Sequence, residues 1–201
     1  MTASSPSFVD RERRQLADLF EQLGPAAPTL CEGWDTAHLA AHLVVRERRP
    51  DALVGLGAEA VGKGGPPAAW THRLEDRLRE STPYAEVVGR LRAGPPAWSP
   101  MAWPVLAGAF NTAEYAIHHE DVRRAQPGWT VRELARGDQD TLWTAATLSA
   151  RRVRGGVLLR RTDVDGVDKR VGASGRTVEG EPLELLLWLS GRRDVARVTV
   201  S

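Results

Sequence analysis

Two side chains near residue 114 have the residue types and spacing that suit a metal ion. Glu114 and His118 lie four residues apart in the run EYAIHHEDVRRA, so on a helix they project from the same face. Far upstream, His42 lies in the apolar stretch HLAAHL, on a second predicted helix. Two imidazoles and one carboxylate leave a divalent ion an open coordination position, as in catalytic zinc sites. The chain is therefore a candidate metalloenzyme.

The spacing alone leaves other interpretations open. An E-x-x-x-H pair also occurs on helix surfaces, where it adds little stability. His42 equally fits a buried histidine bonded to a backbone carbonyl, and His38, one turn earlier, is an alternative ligand. The apolar residues around these positions favour a metal, because a carboxylate and an imidazole inside a helical bundle need a partner to offset desolvation.

Three further side chains are candidates for supporting roles. Asp121 follows His118 by one turn and is predicted to orient a ligating imidazole through its second ring nitrogen, although a surface pair with Arg124 is an alternative. Arg46 and Arg192 are candidates for binding the carboxylates of a cofactor or a substrate.

Two neighbours of these candidates are predicted to lie outside the ligand set. His119 is rotated by about 100° from the preceding residue and is expected at the surface or at a pocket rim. Cys31 has no basic neighbour in sequence that would favour its thiolate, so it is predicted to be structural.

Composition limits the class of protein. The 201 residues are 42% hydrophobic, which is enough for a folded core, and 27 basic residues nearly balance 26 acidic ones without a dense basic block. Nucleic acid is therefore not expected as a partner. The first residues, MTASSPSF, lack the features of a secretion signal, and no apolar run could cross a membrane, so a cytoplasmic protein is expected. The single cysteine excludes an internal disulfide and predicts nitrogen and oxygen metal ligands.

Apolar periodicity and end signals predict mainly helices before residue 130. A loop rich in Gly, Ala and Pro is expected at 55–67. The predicted helices span residues 7–23, 35–50, 72–79, 82–94 and 104–124.

The pattern changes after residue 130. It predicts helices at 138–153 and 182–190, and strands at 156–161, near Val178 and at 195–200. The predicted fold class is therefore α+β and mainly α, with a helical bundle at 1–130 and a small α+β module at 131–201.

Three segments resemble the mycothiol-dependent maleylpyruvate isomerase family, which belongs to the DinB-like metal-binding four-helix bundles. These segments are LCEGWDTAHLAAHLVVRE, EYAIHHEDVRRA and GEPLELLLWLSGR. The resemblance implies a four-helix bundle with a C-terminal α+β module. It also implies that His42, Glu114 and His118 bind a divalent metal, usually zinc, with mycothiol as a thiol cosubstrate.

The resemblance also defines an expected activity. It implies metal-dependent activation of a low-molecular-weight thiol, either for sulfur transfer to a small electrophile or for its thiol-assisted isomerisation. Alternatives are a metal-dependent hydrolase with Asp121 or Glu120 as base, and a non-catalytic metal-binding or partner-binding module.

The chain departs from the family pattern at two places. His38 stands where an acidic residue is common in the family, and His119-Glu120 replace a small residue and a tryptophan. The HHEDVRRA run therefore resembles a separate subfamily, for which maleylpyruvate does not follow as substrate. The expected partners are a small thiol and an electrophile, and a homodimer is left open.

Overall fold

Helices dominate the part of the chain that the structure describes. The computed structural model describes residues 6–52, 65–173 and 175–201, without the side chains of 104–107. Its α-helices are α1 (Phe8–Leu23), α2 (Thr36–Arg48), α3 (Pro66–Ser81), α4 (Tyr84–Ala93), α5 (Pro104–Arg123), α6 (Arg136–Ser149) and α7 (Pro182–Leu189). Its strands are β1 (Val157–Arg161), β2 (Asp168–Val171), β3 (Thr177–Gly180) and β4 (Thr199–Val200). The predicted fold class, mainly α with an α+β module at the C-terminal end, is confirmed.

The chain forms two compact units. The first comprises Met1–Gly108 and Asp121–Pro127, and the second comprises Ala109–Glu120 and Gly128–Ser201. The central residues of α5 thus belong to the second unit, whereas the ends of this helix belong to the first. The predicted domain boundary at residue 130 remains a prediction.

In the first unit, polar caps fix where α1 and α2 begin. The Ser7 hydroxyl accepts the backbone N–H of Asp10 at 3.2 Å, and the Asp35 carboxylate accepts that of His38 at 2.9 Å. Helix α2 packs against α3 and α4, and α1 packs against α4. Because neighbours cover it from several sides, α2 is buried along most of its length.

Helix α3 is longer than the sequence predicts. It begins at Pro66 and ends at Ser81, whereas the pattern predicts only 72–79. Proline suits the first helical turn because the N–H that it lacks has no partner there. The predicted loop at 55–67 lies mostly in 53–64, outside the described residues, and its last two residues form the first turn of α3.

A tyrosine joins α4 to α1 and makes stability depend on pH. The Tyr84 hydroxyl donates to the Phe20 carbonyl at 3.0 Å, and burial raises the pKa of Tyr84 to about 12. Folding therefore favours the neutral phenol, and this contribution to stability is present below the ordinary pKa of 10.0 and is lost as pH rises towards about 12. In urea titrations, the unfolding free energy of the wild type should fall more steeply over this range than that of Tyr84→Phe. Equal slopes would contradict the prediction.

The second unit contains a four-stranded mixed sheet in the order β2-β1-β3-β4. Strand β1 is antiparallel to β2 and parallel to β3, which is antiparallel to β4. Val157, Leu159 and Val178 are fully buried on β1 and β3, and α6 packs against α7.

Two strands of this sheet differ from the sequence prediction. Strand β2 was not predicted, because three of its four residues, DKRV, are charged and exposed at the edge of the sheet. The predicted strand at 195–200 forms a ladder only at Thr199–Val200. The buried Glu184 carboxylate accepts the Arg197 backbone N–H at 2.8 Å, so a side chain takes the place of a ladder partner.

Candidate metal centre

Helix α5 presents Glu114 and His118 one turn apart, as their spacing predicts. A carboxylate oxygen of Glu114 lies 3.6 Å from Nε2 of His118, and the two side chains are 23% and 12% exposed. This distance exceeds a hydrogen bond. Two donors that are each about 2.1 Å from a tetrahedral ion lie about 3.4 Å apart, so the observed gap suits a shared ion.

His42 is held by a carboxylate. Its ring is buried on α2, and Nδ1 lies 2.9 Å from a carboxylate oxygen of Glu75 on α3. The Trp34 ring packs at a tilt against it, with the ring centroids 5.1 Å apart. The buried position of His42 is thus observed, and the group beside its Nδ1 is a carboxylate, which can orient an imidazole that binds a metal.

Among the described residues, two sets of three side chains could hold a metal ion. One set is His42, Glu114 and His118, which are the predicted ligands. The other set is Cys31, His118 and Asp121. In each set, one donor atom from each residue lies within 4.8 Å of the others.

The chemistry of the first set fits a divalent cation. A carboxylate only accepts hydrogen bonds, so Nδ1 of His42 donates to Glu75 and, in the neutral ring, Nε2 keeps its lone pair. Two imidazoles and one carboxylate are borderline and hard donors, a combination typical of zinc sites with an open position.

Cys31 lies close to this centre, which the sequence did not predict. Its Sγ is 3.2 Å from a carboxylate oxygen of Asp121, which is fully buried. The second set includes this thiol, whereas only nitrogen and oxygen donors are expected from the sequence, and that expectation remains a prediction. Asp121 occupies a buried position beside His118 on α5, which is compatible with the predicted orienting role.

His38, the alternative ligand, belongs to neither set. Its Nδ1 lies 2.7 Å from the Asp35 carboxylate, and its ring also contacts the Arg79 guanidinium. These contacts hold His38 among charged groups at the start of α2.

The two arginines predicted to bind carboxylates lie in different environments. Arg46 is 1% exposed on α2, one turn beyond His42. Arg192 is partly exposed just after α7, and its guanidinium donates to the Ser190 carbonyl at 2.8 Å.

His119 and Glu120 have structural partners. The carboxylate of Glu120, which is fully buried, lies 2.6 Å from Nε of Arg132, and Nη1 of Arg132 lies 3.2 Å from Nδ1 of His119. The prediction of a surface or rim position for His119 is wrong, because this residue is only 4% exposed. Two residues of the HHEDVRRA run, His119 and Glu120, thus hold the segment that precedes α6.

A cavity in the second unit adjoins Glu114. Its volume is about 260 Å³. Its walls are mainly apolar, with polar groups from two serines and one arginine. The lining residues include Phe110, Ile117, Leu148, Ser149, Arg152 and Ser190.

Neither Glu75 nor His72 was predicted from the sequence to lie at this site. A second carboxylate oxygen of Glu75 lies 3.1 Å from Nδ1 of His72, so Glu75 stands between two imidazoles. The spacing of three residues between His72 and Glu75 was a usable signal for their mutual contact. The contact with His42 joins residues 33 apart and had no local signal.

The fold and these side chains define the class of protein. It is a mainly α protein with an α+β module and a histidine–carboxylate cluster. No protein-family model and no curated protein matches the sequence. Two solved structures are similar: crystal structures of mycothiol-dependent maleylpyruvate isomerase and of a mutant of that enzyme. They are 17% and 20% identical in sequence, with TM-scores of 0.52 and 0.53, and each comparison covers 96% of this chain and 88% of the other. The chain therefore shares the fold of that isomerase.

None of the helices in the described part of the chain combines the length and the apolar character that crossing a bilayer requires.

Proposed function

We propose that this protein is a metal-dependent enzyme that activates a low-molecular-weight thiol for addition to a small electrophile. The observation that carries the proposal is the set formed by His42, Glu114 and His118, whose donor atoms lie within 4.8 Å of one another. The shared fold with a mycothiol-dependent isomerase supports the thiol as cosubstrate.

The three ligands define what the chain supplies. His42, Glu114 and His118 would hold a divalent ion, for which zinc is the proposed identity, and leave a position open to a further ligand. A divalent ion lowers the pKa of a thiol that it binds, so that the thiol reacts as thiolate at neutral pH. Asp121 would support the orientation of His118 from its buried position on the same helix.

The proposed reaction balances without an oxidant or a reductant. The thiol loses its proton, and its sulfur adds to an electrophilic carbon of an α,β-unsaturated acid, which turns the double bond into a single bond. Protonation of the adjacent carbon gives a thiol conjugate. Alternatively, rotation about the single bond and loss of the sulfur give the opposite geometric isomer and return the thiol.

The cavity beside Glu114 is proposed to receive the electrophile. Its apolar walls, including Phe110 and Ile117, would exclude water from the reacting carbon, and the exposed Arg152 would bind a substrate carboxylate. The sequence also predicts two arginines that bind carboxylates, and we propose a role for each. Arg192 would bind the substrate, and the buried Arg46 would bind the thiol cosubstrate.

The alternative of a hydrolase has less support. Glu120 is engaged in a buried ion pair with Arg132, and the Asp121 carboxylate lies 3.2 Å from the Cys31 sulfur. Neither carboxylate is thus left as a ready general base for water. A cytoplasmic location, where thiols stay reduced, remains a prediction.

Titration calorimetry with metal-loaded and metal-free protein tests the proposal. Mycothiol, glutathione and cysteine serve as probes, and the S-methyl derivative of each is the matched control because it has no thiol proton. We expect one thiol to bind only the metal-loaded protein, with release of about one proton when buffers of different ionisation enthalpy are compared. The S-methyl derivative should bind at least about tenfold more weakly.

Product analysis then separates the possible activities. Incubation with a cis-α,β-unsaturated dicarboxylic acid should give a conjugate or the trans isomer only when both metal and thiol are present. Hydrolysis of an ester without thiol would support the hydrolase instead. A metal-loaded protein that binds none of the thiols would favour a non-catalytic metal-binding module and would overturn the proposal.

A further inference from the structure

The polar groups on α3 suggest a role for Glu75 in the metal centre. We propose that Glu75 is a positioning residue that fixes the tautomer and the ring orientation of His42, so that Nε2 is the atom offered to the metal. This inference rests on the proposed function, because it assumes that His42 is a ligand.

The hydrogen-bond geometry defines which ring nitrogen of His42 carries the proton. One carboxylate oxygen of Glu75 lies 2.9 Å from Nδ1 of His42, and the other lies 3.1 Å from Nδ1 of His72. A carboxylate accepts at both oxygens and donates at neither, so each imidazole must present an N–H at Nδ1. A neutral His42 ring then has an unprotonated Nε2, which is the form that binds a metal.

Glu75 is itself held in place from several sides. It is 7% exposed and lies on the buried face of α3, the helix that packs against α2. Its two oxygens are bonded to different imidazoles, one on each of these helices, so the carboxylate cannot rotate without losing a partner. The residue therefore acts as a rigid acceptor.

The surroundings of His42 restrict its ring further. The Trp34 ring packs against it at an interplanar angle of 52°. Glu75 also lines a mainly polar cavity of about 260 Å³, together with Trp34, His38, His72, Asp76 and Arg79. The Glu75 carboxylate thus occupies the position at Nδ1 of His42 that water could otherwise take, which would leave the tautomer undefined.

Substitutions of Glu75 change the acceptor while leaving the three ligands intact. Glu75→Ala removes both hydrogen bonds, whereas Glu75→Gln keeps the shape and one accepting oxygen but adds a donor. The matched controls are Glu80→Ala and Glu80→Gln, because Glu80 is exposed on the same helix. Thermal unfolding of each variant checks that the fold is retained, and the isosteric Gln variant serves if the Ala variant does not fold.

Two measurements test the inference on the full chain. Competition titrations with Zn²⁺ and Co²⁺ should show affinity about 10–100-fold weaker for Glu75→Ala, a smaller loss for Glu75→Gln, and wild-type affinity for both Glu80 variants. In the metal-free protein, ¹H–¹⁵N long-range NMR spectra should report the Nδ1–H tautomer of His42 in the wild type and a tautomer mixture in Glu75→Ala.

The outcomes separate this inference from the proposed function. Glu75 variants with wild-type metal affinity and unchanged His42 tautomer would overturn it, even if the wild type binds metal and thiol. If the wild type binds no metal, the proposed function fails, whereas the tautomer spectra of the metal-free protein still decide whether Glu75 sets the state of His42.

Discussion

Replacing His118 with alanine is expected to lower the metal content from about one ion per chain to less than about a tenth of an ion. Of the three proposed ligands it is the residue shared by both metal-competent sets, so its loss leaves neither set complete. His42→Ala is expected to have a similar effect, because it leaves the first set with only two ligands. Elemental analysis of untagged protein after dialysis measures the metal content.

His38→Ala is the matched control for these variants. It also removes one imidazole from α2, but His38 belongs to neither set and contacts Asp35 and Arg79 instead. We expect it to keep the metal content of the wild type. If His38→Ala lost the metal and His42→Ala kept it, the ligand on α2 would be His38, the alternative that the sequence leaves open. Cys31→Ser, which changes only the second set, should leave metal binding unchanged if the first set is the site.

The largest effect on stability is expected for Arg132→Ala. This substitution removes an ion-pair partner of Glu120, whose carboxylate is fully buried, and a hydrogen-bond partner of His119. Breaking a buried pair from one side costs about 3–5 kcal/mol, because the remaining charge stays desolvated. Urea unfolding of wild type and variant measures the difference in the free energy of unfolding.

Arg136→Ala is the control for Arg132→Ala, from the same region of the chain. Arg136 pairs with Asp140, but both side chains are more than half exposed, at 58% and 51%. Water screens such a pair, so the loss should be below about 1 kcal/mol. In addition, Glu120→Gln combined with Arg132→Ala should recover part of the stability. Equal losses for the two arginine variants would mean that the Glu120 pair contributes no more than a surface pair.

The helices of the first unit were predictable because their signals are local. Ser7 and Asp35 cap α1 and α2 with the hydrogen bonds that their positions indicate. The common face of Glu114 and His118 follows from helical geometry alone. By contrast, β2 was missed because a charged edge strand has no apolar alternation to reveal it.

The partners of the site residues were less predictable, because they come from distant parts of the sequence. Glu75 meets His42 across 33 residues, and Cys31 meets Asp121 across 90 residues. The error for His119 has a related cause. A helical-wheel argument assumes one buried face, but α5 is buried around much of its circumference, as Tyr115, Glu120 and Asp121 show.

The charged edge strand β2 has a consequence for self-association. An open strand edge is a template to which another chain can add, and long charged side chains discourage that addition because they would have to give up their water. Asp168, Lys169 and Arg170 are exposed at this margin of the sheet. Fibril growth or dimer formation by continuation of the sheet past β2 is therefore disfavoured, and any pairing of two copies should employ other surfaces.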